Sequence, residues 1–264
     1  MFEKKKVWLG VGSVLATTVA ASQVSATVLT QPSAAPTMFM AAPMAEGEMA
    51  APEIDLNTND TAFLAQLGFI RGHLWVGMKL YEQGHIEMAK THMKHPGDEL
   101  YSGLTEAFEA RGLPGFAEPL NTLAESVIND QSKDVVMNNY NELRDAISAN
   151  EPIDNMSAKD VILSISSMLM VAADEYAVGI QNGEVANVHE YQDALGFKEI
   201  ALDRLNRIND AEAHKAQDAI NETRQVINNL NNLWPTTTPE AKVDGEPSKI
   251  YGAASRIELE ARSI

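Results

Sequence analysis

The sequence contains no cysteine among its 264 residues. This absence excludes disulfide bonds, thiolate metal sites, iron–sulfur clusters and catalysis by a thiol. Basic residues are also few, because 20 lysines and arginines stand against 37 aspartates and glutamates, which gives a net charge of −17. A chain of this charge repels nucleic acid and anionic lipid, so we expect neither as a partner. The hydrophobic content of 45% is nevertheless enough for a buried core.

The N-terminus has the three parts of a signal peptide. Lys4–Lys6 form a basic region, Val7–Ala21 is apolar, and Val24 and Ala26 are small residues at the two positions that a signal peptidase reads. The pattern predicts that residues 1–26 are cleaved and that the product is periplasmic. An uncleaved anchor helix is the alternative. We expect no membrane span after cleavage, since no other stretch looks sufficiently apolar.

The rest of the sequence divides by composition. Residues 27–55 are rich in alanine, proline, threonine and methionine, which predicts a flexible leader. Its methionines are soft ligands that suit Cu(I), although a plain linker is the simpler interpretation. Residues 56–150 and 151–235 are predicted as two helical halves, and residues 236–264 as a tail with a short docking helix.

Apolar residues recur every three or four positions from Asp60 onward, as expected for helices with one buried face. Start signals support this: Asn59 or Asp60 can cap the first helix, and Ser157, with Asp160 three residues later, caps a long one. Pro96 is predicted at the first position of another helix, and a last helix is predicted from Asp210 to Leu233. Period-two alternation of β-branched residues is not evident, so we expect no β-sheet. The predicted fold is all-α: one antiparallel helical bundle, or two packed together.

A first candidate site lies on the helix that contains two glycines. His73, Gly77 and Tyr81 are spaced four apart and therefore share a helix face. Gly72 and Gly77 have no side chain, so a ligand can approach the backbone there. This makes His73 and Tyr81 candidate cofactor-binding residues. Packing of another helix against the glycines explains the pattern equally well.

A second candidate site follows within twenty residues. His92, His95 and Glu99 are predicted to flank the junction of two helices, where imidazole and carboxylate together suit Zn, Fe, Mn or Cu(II). The spacing matches no established metal motif. Exposed histidines near a turn are the alternative.

A third candidate site needs two helices to fold back on each other through a tight turn, which the sequence predicts at Asn182-Gly183. Glu175 would then meet His189, Glu190 and Asp193 in a carboxylate-rich pocket for a hard cation such as Fe(III) or Ca. Acidic residues at a helix start also compensate the helix dipole without binding an ion. Both interpretations stay open at this stage.

The run Asp174–Val185, followed by Glu190–Asp193, resembles the soluble periplasmic helical segment of bacterial high-affinity iron permeases. In that segment a tyrosine-containing helix is followed by the motif D-G-x-V, a short gap and the motif E-Y-x-E. In this chain Asn182 replaces the aspartate of the first motif, and Asp193 replaces the last glutamate of the second. The paired-glutamate motif and membrane helices of the permease are absent from the resemblance. It therefore implies a module of metal acquisition, not transport itself, with these candidate contacts: Glu175, Glu190 and Asp193.

Residues 74–89 also resemble the first helix of a tetratricopeptide repeat. Such repeats occur in arrays, and no second copy follows at the 34-residue offset, so we infer no repeat protein.

Catalytic motifs are not evident: there is no G-x-S-x-G elbow and no phosphate-binding glycine loop, so no catalytic residue is assigned and no enzyme is predicted. The leading hypothesis is a periplasmic, helical, metal-associated binding protein, an accessory to iron or copper uptake. It would hold a cation, Fe, Cu or Zn, through histidine and carboxylate, and contact an envelope protein or inner-membrane permease. The alternative is a helical interaction scaffold without metal.

Overall fold

The computed structural model describes residues 54–239, 242–243 and 245–264. The predicted signal peptide and all but the last two residues of the predicted leader lie outside this part of the chain. The described residues are largely helical, which confirms the predicted fold class.

The helices differ widely in length. The α-helices are α1 (Asp60–Glu82), α2 (Ile86–His95), α3 (Thr105–Arg111), α4 (Ala117–Ile128), α5 (Lys133–Asn150), α6 (Ala158–Gly179), α7 (Val188–Leu205), α8 (Asp210–Lys215), α9 (Gln217–Asn228) and α10 (Pro247–Arg262). A π-helical turn occupies Pro96–Leu100, and short 3-10 turns occupy Tyr101–Leu104, Ile153–Asn155 and Asn231–Leu233.

Side-chain caps fix the starts of the two longest helices where the sequence predicts them. The side chain of Asn59 accepts a hydrogen bond from the N–H of Ala62 at 2.9 Å and begins α1. Ser157 Oγ accepts from the N–H of Asp160 at 3.1 Å and begins α6. Each cap satisfies a backbone donor that the helix leaves free, and is typically worth about 1 kcal/mol.

Two helix predictions are corrected. A single helix over residues 210–233 is wrong, because the backbone leaves helical geometry at Ala216, whose side chain is buried in the core. Pro96 does not begin a separate helix either. It continues α2 into the π-helical turn, where the N–H of Tyr101 bonds to the Pro96 carbonyl, and this wider turn accommodates a residue that lacks a backbone donor.

The prediction of no β-sheet is wrong at one place. Strands β1 (Ile180–Gln181) and β2 (Glu184–Val185) pair in antiparallel register between α6 and α7. The turn residues Asn182 and Gly183 both have positive φ, 54° and 75°. This is the two-residue turn for which Asn-Gly is the preferred sequence, and it returns α7 along α6.

Helix α6 lies at the centre of the fold and packs against α1, α7 and α10. Within the described residues it is long and apolar enough to cross a membrane, with a mean hydropathy of 1.5. Our expectation that no segment beyond residue 26 reaches that composition is therefore wrong. However, 61% of the apolar window is buried inside the fold, and a helix surrounded by other helices needs the same composition.

Helix α1 contributes to the two larger apolar cores. Leu64 and Ala65 join the core formed by α6, α7, α9 and α10, whereas Phe63 and Leu67 join the core formed with α2, α3, α4 and α5.

Glu151, at the end of α5, has a fully buried side chain. Its carboxylate pairs with Arg71 of α1 at 3.3 Å, with Arg204 of α7 at 3.6 Å, and with Arg207. Burial lowers the pKa of Arg204 to about 10, and the Glu151 carboxylate opposes that shift. The network ties α1 and α5 to the end of α7.

Candidate metal centre

Three helices approach closely at glycines. A Cβ placed on Gly196 of α7 would overlap the carbonyl oxygen of Gly72 on α1. A Cβ on Gly77 would lie 3.1 Å from the Cβ of His92 on α2. The glycines therefore serve helix packing, as one of our two interpretations predicts, and this packing brings histidines of α1 and α2 to α7.

Four histidines and one aspartate converge where these helices meet. We call them the histidine cluster: His73 from α1, His92 and His95 from α2, and His189 and Asp193 from α7. The carboxylate of Asp193 lies at the centre of the cluster. Its Oδ1 lies 2.5 Å from Nδ1 of His73 and 3.0 Å from Nδ1 of His92. Its Oδ2 lies 3.1 Å from Nδ1 of His189. Residues of three candidate sites that the sequence presents separately therefore meet in one centre.

The tautomer of His92 follows from its neighbours. Gln192 donates from its amide nitrogen to the Thr237 carbonyl at 3.0 Å, which leaves its amide oxygen facing Nε2 of His92 at 2.8 Å. Nε2 of His92 must therefore donate a proton. In a neutral imidazole Nδ1 then has only a lone pair, and it faces the carboxylate of Asp193.

The facing atoms make no hydrogen bond. Nδ1 of His73, Nδ1 of His92 and Oδ1 of Asp193 are buried, and none has a hydrogen-bond partner among the described residues. Buried polar atoms nearly always have one. Ligand atoms about 2.0–2.2 Å from a shared metal ion lie about 3 Å from each other, and Nδ1 of His92 lies 3.0 Å from Oδ1 of Asp193. The arrangement fits a cation between the three atoms.

The electrostatics favour an ionised carboxylate. Burial alone would raise the pKa of Asp193, but the charge of His73 and the contacts with His189, His73 and His92 lower it well below its ordinary range. Burial lowers the pKa of His189, but the adjacent Asp193 carboxylate outweighs this and raises it. Asp193 is therefore an anion that can bind a cation at neutral pH.

His95 and Glu99 lie at the edge of the cluster. The His95 ring is 4.7 Å from that of His73 and 5.7 Å from that of His189, and its side chain is 27% exposed. Burial and the charge of His73 lower its pKa. Glu99 lies 3.4 Å from Nδ1 of His95, but its side chain is 53% exposed. Ligation by Glu99 stays a prediction.

Glu175 and Glu190 form a pair of carboxyl groups beside Asp193. Burial, a hydrogen bond to Glu190 and the charges of Glu190 and Asp193 raise the pKa of Glu175 to about 9. Glu175 is therefore protonated at neutral pH when no cation is present. Their position matches the carboxylate-rich pocket that the turn between α6 and α7 was expected to form.

Residues 152–264 match the family model of the iron permease-associated 4-helix bundle domain. The resemblance in residues 174–193 lies inside this range and is confirmed. No curated protein and no solved structure matches the chain. The long helices of the matched range are α6, α7, α9 and α10. The domain supports a helical module related to iron uptake, with a location related to the cell envelope.

The histidine cluster is shared between the range that matches the family model and the helices before it. His189 and Asp193 lie within the matched range, whereas His73, His92 and His95 lie on α1 and α2, outside it. The centre therefore depends on how α1 and α2 pack on the domain.

Sequence reasoning was incomplete at two residues. It assigned His73 to a cofactor site with Tyr81, but Tyr81 packs against apolar side chains such as Leu80, while His73 faces Asp193. It also missed Gln192, because a glutamine beside an acidic residue has no distinctive spacing. The remaining histidines, His85 and His214, are exposed.

Proposed function

We propose that this protein binds iron as Fe(II) in a periplasmic step of iron uptake, between His73, His92 and Asp193. The observation that carries the proposal is the contact between His92 and Asp193. When the His92 ring is neutral, two lone pairs face each other at 3.0 Å in a buried position, and a cation between them makes the contact favourable.

The ligand set suits iron. Two imidazoles and one carboxylate on one side of a metal, with other positions open, form the arrangement typical of non-haem Fe(II). Imidazole also suits copper and zinc, so the ligands alone leave those metals open. The match of residues 152–264 to an iron permease-associated domain favours iron.

The surroundings hold the ligands in position. The ring Nε2–H of His92 donates to the amide oxygen of Gln192. A hydrogen bond of this kind orients a metal-binding imidazole and increases its basicity. The Phe197 ring packs edge-on against His73 at 5.2 Å. Both contacts restrict rotation of the rings, so the site needs little rearrangement when the cation arrives.

The partly exposed side chains give the cation a route to the buried ligands. His95 and His189 have side chains that are 27% and 25% exposed, whereas those of His92 and Asp193 are at most 3% exposed. A cation bound first by the outer imidazoles passes inward to Asp193. In the same proposal an inner-membrane permease receives the cation through this opening.

The first test is the metal content of the untagged full chain, purified from its native compartment without chelators. We expect iron in this material. Metal added in vitro is less informative, because Cu(II) and Zn(II) bind most nitrogen and oxygen sites more tightly than Fe(II). Copper or zinc in the native protein would overturn the assignment of iron.

The second test identifies the residues that bind the iron. The chelator-treated full chain is titrated anaerobically with Fe(II), beside the variants His73→Ala, His92→Ala and His214→Ala. We expect both cluster variants to bind less iron, and His214→Ala, which changes an exposed histidine of α8, to bind like the original chain. Absence of Fe(II) binding by the original chain, or equal binding by all variants, would refute the proposal.

A further inference from the structure

The rings of His92 and His189 are stacked in parallel. Their centroids are 4.1 Å apart and the angle between their planes is 1°. The lone pair of an imidazole nitrogen lies in the plane of its ring. Two parallel rings therefore direct their lone pairs to two separate points and cannot both bind one ion with good geometry.

Asp193 offers a separate oxygen to each ring. Its Oδ1 faces Nδ1 of His92, and of His73, whereas its Oδ2 faces Nδ1 of His189. The ligand atoms form two overlapping sets that have only Asp193 in common. The first set is His73, His92 and Asp193; the second is His189, Glu190 and Asp193, and the atoms of each lie within 4.8 Å of one another.

We propose that the centre holds two cations bridged by the carboxylate of Asp193, one bound by His73 and His92 and the other by His189 and Glu190. This inference rests on the proposed function and specifies its site. The spacing of the stacked rings agrees with it, because two metal ions that share a carboxylate lie about 3.5–4 Å apart.

Other contacts hold the second ligand set. Asn187 donates to Oε1 of Glu190 at 3.3 Å, and its side chain also caps the start of α7, so the Glu190 carboxylate is fixed to the helix end. Glu175 is hydrogen-bonded to Glu190 from α6. Nε2 of His189 is buried without a hydrogen-bond partner among the described residues. A cation at Glu190 would also balance the charge of carboxylates that lie close together.

The test counts ions. The chelator-treated full chain is loaded with Mn(II) under equilibrium dialysis and its manganese is measured per chain; Mn(II) is chosen because the methionines of residues 27–55 bind it poorly. We expect about two ions per chain. Electron paramagnetic resonance of the loaded protein should show an exchange-coupled pair in place of the hyperfine pattern of isolated Mn(II).

Substitutions test which ligands bind each of the two ions. Glu190→Gln should reduce the count by about half and restore the isolated Mn(II) pattern, and His73→Gln should do the same. Asp193→Asn should lose both ions, because it removes the shared ligand. Glu184→Gln, which changes an exposed carboxylate of the β-hairpin, is the matched control and should leave the count unchanged. Circular dichroism and thermal melting establish that each variant is folded.

The outcomes distinguish the two proposals. One ion per chain in the original protein, or an unchanged count in folded Glu190→Gln, would overturn the bridged pair and leave the proposed function standing. No ion in the original protein, with Mn(II) or Fe(II), would overturn both. If Asp193→Asn does not fold, the number of Mn(II) ions bound per chain by Glu190→Gln and by His73→Gln still tests the bridged pair.

Discussion

Nδ1 of His92 lies 3.0 Å from Oδ1 of Asp193, and the hydrogen bond from Nε2 of His92 to Gln192 leaves that Nδ1 without a proton in the neutral ring. Two acceptors so placed in a buried site repel each other unless a positive charge lies between them. The helix packing that holds them together therefore favours binding of a cation.

Replacing Gln192 with leucine should weaken Fe(II) binding about 10–100-fold, because His92 then loses the partner that fixes its tautomer and orientation. The measurement is competition with a chelator of known Fe(II) affinity. Thr237→Ala is the control, since Gln192 bonds to the backbone carbonyl of Thr237, which this variant retains. Equal affinity of Gln192→Leu and the original chain would contradict the role assigned to Gln192.

Replacing Gly196 with alanine should destabilise the fold by about 1–3 kcal/mol and reduce metal binding, because the new Cβ overlaps the Gly72 carbonyl and separates α1 from α7. Denaturant unfolding and metal content measure the two effects. Gly252→Ala is the control: no heavy atom lies within 4 Å of its added Cβ, so it should stabilise α10 by about 0.5–1 kcal/mol. A neutral Gly196→Ala would show that the close approach is not required.

Replacing Glu151 with glutamine should cost about 3–5 kcal/mol of folding free energy, because it leaves the buried guanidinium of Arg204 without its counter-charge. Thermal melting should show the loss. Asp145→Asn, which breaks an exposed pair with Arg144, should change the melting temperature little. If both variants melt like the original chain, the network does not stabilise the junction of α1, α5 and α7.

Metal binding should weaken as the pH falls, because each imidazole must lose its proton before it can bind a cation. The pKa of His189 is raised by Asp193, so proton competition at this residue begins above the ordinary histidine value of about 6.5. Asp193 does not contribute to the decline, since its pKa is lowered well below the ordinary value. Equilibrium dialysis with Mn(II) from about pH 8 to pH 5 measures the decline. A bound amount of Mn(II) that stays constant over this pH range would argue against histidine ligands.

Several features of the fold could be derived from sequence because they depend on neighbouring residues. Asn59 and Ser157 begin helices through contacts only three residues long. The turn at Asn182-Gly183 was located, although its two-residue strands were not expected. The break at Ala216 could not be foreseen, because it is accompanied by burial of that side chain among helices distant in sequence.

The sequence by itself determined the all-α architecture, the metal-binding types of side chain and the resemblance to the iron permease-associated domain. Only the tertiary structure decided that His92 meets Gln192 and Asp193, about a hundred residues away. A helical pattern specifies which face is buried but not which helix covers it. That choice is made where Gly72 and Gly196 let α1 and α7 approach, and it joins the separate histidines into one centre.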